Sequence, residues 1–174
     1  MLQVAPRQTG FNDFVLGVRF EDIPEDVIAR CQDYVLDLIG VSAASTHIEA
    51  SRLGREMAVR MFAAGSEDAQ ARILFDGRTA SLSGAAYAGA NQIDSLDAHD
   101  GYSPAKGHAG CGLLPGVLAF AEQLPDLTCR EFLAAMVIGY EIASRAGVAL
   151  HTQPLTIIHP IPGLLLRLRL WVCD

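Results

Sequence analysis

The sequence predicts an all-α fold, a helical bundle-like domain. Three observations carry the prediction. Apolar residues recur at steps of three and four along most of the chain. Helix punctuation (an early proline, a glycine stop, a capping box) falls where those runs begin and end. Strand character is confined to one short stretch, Arg72 to Phe75, followed by Asp76-Gly77.

Phe11, Phe14, Val15 and Val18 mark a short first helix. Pro24 sits where a first-turn proline belongs. Val27, Ile28, Cys31, Tyr34, Val35, Leu38 and Ile39 then recur with helical spacing, and Gly40 with the small residues after it predicts close packing before an end near Ser45. Residues 49–64 form a third helix, with Leu53, Met57, Met61 and Phe62 on its inner face and Gly65 as its stop. Ser81 or Ser83 caps the next helix. Ala85, Ala86, Ala88, Gly89 and Ala90 on that helix allow neighbours to approach closely. Leu113 to Leu124 is helical if Pro115 lies in its first turn. Thr128-Cys129-Arg130-Glu131 is a capping box opening a last helix, with Phe132, Leu133, Met136, Val137 and Tyr140 inward, reaching about Leu150. Methionine and phenylalanine positions on the helices are expected in the core.

The helical domain spans residues 1–154. Residues 155–174 differ from it: Pro160 and Pro162 break the period, Leu and Arg then alternate, and the chain's only Trp, Trp171, lies near the end. An exposed apolar run of this kind favours aggregation. We expect truncation or a shifted reading frame here rather than a native domain end.

A chain of 174 residues fits one domain or the first part of a larger protein. Hydrophobic residues make up 51% and charged residues 19%, and the mean hydropathy is +0.26. This bias predicts faces covered by more protein or by a partner subunit, and a homodimer is the expected assembly. The net charge of -7 argues against nucleic-acid and anionic-membrane partners. The N-terminus lacks the basic and apolar regions of a signal peptide. The longest uncharged run, between Arg145 and Arg167, holds Pro154, Pro160 and Pro162 and makes a poor membrane span. Cys31, Cys111, Cys129 and Cys173 are scattered, as buried thiols of a cytoplasmic protein would be.

The chemistry concentrates between residues 94 and 108. Asp94, Asp97, His99, Asp100, Lys106 and His108 place six ionisable side chains in fifteen residues, between two apolar helices. Asp97 and His108 are the foremost pair: a carboxylate can orient an imidazole that moves a proton near neutral pH. The alternative is that Asp97 caps a turn and His108 is a surface residue. Asp94, Asp97, His99 and Asp100 could instead ligate Mn, Mg or Zn, yet they match no strong metal motif, and a solvated acidic loop competes with that reading. Lys106 could hold a substrate carboxylate, or be an ordinary surface lysine. Gly107, Gly110 and Gly112 could offer N–H groups to an anion, or simply make turns. Cys111 reads as a small packing residue more readily than as a nucleophile. Tyr102 is a loop anchor or a substrate contact. His159 could return to the same cleft as His108, His151 follows the last helix, and His47 belongs on the surface.

With these residues in view, the chain resembles the MmgE/PrpD family. The resemblance covers residues 10 to 153 and the N-terminal third of a family member. It is carried by the Ala-rich helix into Asn91, by Ser95-Leu96-Asp97, by the loop histidine, by Leu114-Pro115-Gly116-Val117-Leu118-Ala119-Phe120-Ala121-Glu122, and by Gly139-Tyr140-Glu141. Asp97 matches the first Asp of the family loop, Asp100 its last Asp, and His108 its histidine. The loop departs from the family pattern at Asp94, His99, Gly101 and Ala109, which leaves room for an epimerase-like or isomerase-like member. The resemblance implies a cofactor-independent lyase or isomerase acting on small di- or tricarboxylates. Its chemistry would be proton transfer alpha to a carboxylate, ending in dehydration, decarboxylation or epimerisation. His108 would be the acid/base and Asp97 its orienting partner. Lys106, Asp100, Tyr102 and His159 would contact substrate, with no metal required. The family's smaller lid domain and its later lysine and tyrosine positions lie beyond this chain. Two other classes stay open: a non-catalytic helical module that binds a partner subunit, and a metal-dependent hydrolase using the Asp/His loop.

Overall fold

A computed structural model describes residues 10–152. The expectations for the tail and for His159 lie outside the described residues. Among the described residues six α-helices and one small hairpin follow in order. They are α1 (Phe11–Gly17), α2 (Glu25–Ala44), α3 (Glu49–Met61), β1 (Gln70–Arg72), β2 (Thr79–Ser81), α4 (Leu82–Asp94), α5 (Gly110–Ala121) and α6 (Cys129–Thr152). The fold is mostly helical, as the periodicity predicts.

α2 starts directly after Pro24, which serves as its N-cap residue. Its inward stripe is Ile28, Cys31, Leu38, Val41 and Ser42. Gly40 itself faces open space, while among the small residues expected to pack closely after it Ser42 and Ser45 are fully buried. The α6 capping box forms as read: the Thr128 N–H donates to Glu131 Oε2 at 2.8 Å, and the Glu131 N–H donates to Thr128 Oγ1 at 3.2 Å. By length and mean hydropathy α6 would also suffice to cross a membrane. One such helix is weak evidence for a span, and among the described residues α6 packs on α2 and α5.

α4 is the pivot of the packing. It buries Gly84, Ala85, Ala88, Gly89, Gln92 and Ile93. Ser81, not Ser83, caps it, accepting from the Gly84 N–H at 3.1 Å. A methyl group on Gly89 would lie 2.5 Å from Pro115 Cβ, so α4 and α5 meet nearly backbone to backbone. α5 begins at Gly110 rather than Leu113, which moves Pro115 out of the first turn and into the helix. There the ring cannot donate to the Cys111 carbonyl, and it fills the groove left by Gly89.

One core lies among α2, α4, α5 and α6, centred on Leu38, Ile93, Leu114 and Met136. A second lies under the hairpin, from Ala58, Ile73, Ala80, Ala85, Ala88 and Ala119. This second core overturns the face expected for the third helix. α3 turns Ser51, Gly54, Arg55 and Ala58 inward, while Leu53, Met57 and Met61 are exposed. The reason is steric. A methyl on Gly54 would sit 3.0 Å from Asn91 Cβ, so only small residues fit between α3 and α4. Phe11 and Phe120 are likewise exposed, against the expectation that aromatic positions are core.

The strand expected at Arg72–Phe75 is displaced. β1 and β2 pair antiparallel with Gln70 opposite Ser81 and Arg72 opposite Thr79, and residues 73–78 form the turn. Phe75 (φ 56°) and Gly77 (φ 86°) supply its left-handed residues. Asp76 in this turn pairs with buried Arg55 at 3.1 Å. Arg55 also donates to Gln92 Oε1 at 2.6 Å and to the Thr46 carbonyl at 2.9 Å. This polar cluster ties α3, α4 and the hairpin together.

Candidate functional site

Residues 95–109 connect α4 to α5 and fold back on themselves. The Tyr102 N–H donates to the Gly107 carbonyl at 3.1 Å, closing a small loop around the turn Ser103–Ala105. Two residues of this connection, Asp97 (φ 49°) and Lys106 (φ 51°), are left-handed without being glycine. Aspartate tolerates that region, whereas a lysine held there costs about 1 kcal/mol. Such outliers cluster where geometry serves function.

The backbone, more than Asp97, fixes His108. Its Nδ1 lies 2.5 Å from the Asp100 carbonyl oxygen. A carbonyl only accepts, so Nδ1 carries the proton. In the neutral ring Nε2 is then the basic nitrogen. Nε2 stands 3.8 Å from Asp97 Oδ1. That is too far for a hydrogen bond, so what remains between them is a through-space attraction. The Asp97 side chain is 82% exposed and that of His108 is 37% exposed, so water screens much of this attraction.

Asp100 acts at two points. Its carbonyl holds His108, and its Oδ2 accepts from the Gly110 N–H at 3.3 Å. Its Oδ1 is buried without a hydrogen-bond partner, and so is the Tyr140 hydroxyl. Both atoms converge above Gly110, where a methyl group would collide with them and with Leu38. Burial first, and then the Asp100 charge, pushes Tyr140 far above the usual phenol range, so it keeps its proton.

A cleft of about 950 Å³ opens between the start of α2, the connection and the second half of α6. His108, Lys106, Asp100 and Tyr102 all line it, with Arg30 and Tyr140. Asp97, 3.8 Å from His108 Nε2, does not line the cleft. His151, in the last turn of α6, lines it too, while His47 is exposed as expected.

Sequence reading undervalued two residues. Tyr140 has core periodicity, which hides its hydroxyl; a buried tyrosine needs a partner, and that requirement was the available signal. The His99 side chain is fully buried, with its ring 4.5 Å from that of His108, centroid to centroid. Neither His99 nitrogen has a hydrogen-bond partner. The expected ligand quartet Asp94, Asp97, His99 and Asp100 does not assemble as such. The group that gathers is Asp94, His99 and Cys111, with ligand atoms within 4.8 Å of one another. The Cys111 thiol donates to the His108 carbonyl at 3.2 Å. Burial, reinforced by the charges of Asp94 and Asp100, pushes it up to about 11, which does not suit a nucleophile at neutral pH.

The family model for the MmgE/PrpD N-terminal domain matches residues 9–163. The cis-aconitate decarboxylase-like protein oryM of Aspergillus oryzae is 26% identical over 145 residues, covering 80% of this chain. The chain spans 29% of the length of that relative. No solved structure matches the chain.

Proposed function

The chain belongs to the MmgE/PrpD family through its N-terminal domain, and from that premise we propose that it serves a lyase or isomerase acting on a small di- or tricarboxylate. The reaction class is proton transfer at a carbon next to a carboxylate, followed by elimination, decarboxylation or epimerisation. The observation that carries this reading is the His108 ring. Its Nδ1 proton is committed to a backbone carbonyl, and its second nitrogen is left as a base beside the cleft.

In this scheme His108 Nε2 takes the proton from carbon, and the Asp97 carboxylate favours the resulting imidazolium. Lys106 and Arg30 are the cleft cations suited to the carboxylates of the substrate. Tyr140, kept protonated with its hydroxyl buried beside Asp100 Oδ1, lines the same wall as Asp100 and Tyr102. An apolar surround would strengthen each of these contacts. The name of the fungal relative refers to a decarboxylase of cis-aconitate, which places a tricarboxylate first among acids to test.

The test is a thermal shift of the 174-residue chain with citrate-like, cis-aconitate-like and aspartate-like acids. At about 10 mM, an acid binding with Kd on the order of 1 mM adds roughly 1.4 kcal/mol, a rise of about 3–6 °C. Lys106→Ala is expected to remove most of that rise. No rise with any acid, or an equal rise in Lys106→Ala, would count against the reading.

A further inference from the structure

We propose that Asp94, His99 and Cys111 form a binding site for a divalent transition metal, zinc fitting best, where α4, the connection and α5 meet. The three ligand atoms lie within 4.8 Å of one another. His99 Nε2 stands 3.8 Å from Asp94 Oδ1. In a tetrahedral zinc site with metal–ligand distances of about 2.0–2.3 Å, ligand atoms stand roughly 3.3–3.7 Å apart. Side-chain rotation over about 1 Å therefore closes the site.

The second, independent observation is His99 itself. Its side chain is fully buried, yet neither ring nitrogen has a hydrogen-bond partner. Buried imidazoles are almost always satisfied, and an idle one aimed at a carboxylate and a thiol is explained by a shared ligand. One nitrogen, one oxygen and one sulfur suit zinc, whereas magnesium and calcium need oxygen. Asp94 is 66% exposed, so the fourth position faces water. On binding, the Cys111 thiol leaves the His108 carbonyl and releases its proton to solvent, and the thiolate takes the metal. His108 is not among the ligands, since its two nitrogens already face the Asp100 carbonyl and Asp97.

Cobalt(II) titration of the reduced 174-residue chain tests this without reference to carboxylate chemistry. The expected result is a thiolate-to-cobalt charge-transfer band that saturates at a single equivalent and is erased by zinc. Cys111→Ser should abolish the band, and Cys31→Ser should leave it unchanged. Asp94→Asn changes an exposed side chain and should keep the fold by circular dichroism. It should raise the cobalt concentration needed by an order of magnitude or more. No band in the wild type, a band that persists in Cys111→Ser, or the same titration in Asp94→Asn would each overturn the proposal.

Discussion

His108 shows how one side chain can be set by backbone while its obvious partner contributes little. The Asp100 carbonyl fixes its tautomer, and exposed Asp97 stands off at 3.8 Å. That Asp97 and His108 lie near each other was legible in the sequence because both lie in one connection. Which contact orients the ring was not, because a carbonyl leaves no mark in the sequence. Cys31 gives a prediction at this scale. Its burial pushes the thiol up to about 11. The thiol form is thus favoured in the folded state over the unfolded chain, where a free cysteine titrates near about 8.5. The stability this provides is full below that value and is lost as pH rises through about 11. Melting temperatures from pH 8 to 11 are expected to fall more steeply in wild type than in Cys31→Ala. Parallel curves would show that Cys31 does not contribute.

Helix positions follow from periodicity, so the element order was readable. Facing was readable only where large residues point inward, as on α6 with Met136 and Val137. On α3 the inner face is Ser51, Gly54 and Ala58, and size alone misdirects the reading. The rule is close approach: where two helices nearly touch, small residues are buried and large ones remain outside. The same rule governs α4 and α5 at Gly89 and Pro115. Gly89→Ala should force these helices apart, against the usual gain of alanine in a helix. We expect a loss of about 1–3 kcal/mol in urea unfolding, as overpacked cores show. A neutral or stabilising result would mean that α4 and α5 are less tightly joined than described. The hairpin was half legible, because its turn depends on Phe75 in a left-handed conformation that no sequence rule expects.

For the whole molecule, the apolar composition anticipated surface left for other protein. Leu16 (85% exposed), Leu36 (71%), Met61 (71%) and Phe120 (62%) are large exposed apolar side chains among the described residues. We predict that sedimentation velocity finds a dimer, at twice the 18.6 kDa chain mass. A monomer at tens of micromolar would remove the homodimer from the account. The cleft itself was not foreseeable as a shape. It forms because α6 runs past the connection, its Gly147 packed on Ala105, and no spacing within one segment encodes that meeting. The claim that unites the scales is that His108 moves a proton on a carbon acid held in this cleft. Solvent exchange reads that step directly: a citrate-like or aspartate-like acid is incubated with the chain in D2O, and proton NMR follows the hydrogens next to the carboxylates. The account predicts exchange with the wild type, none with His108→Gln, and a loss of no more than about tenfold with Asp97→Asn, since an exposed pair is worth about 1 kcal/mol or less. Exchange at equal rates in wild type and His108→Gln, or none in the wild type, would contradict it.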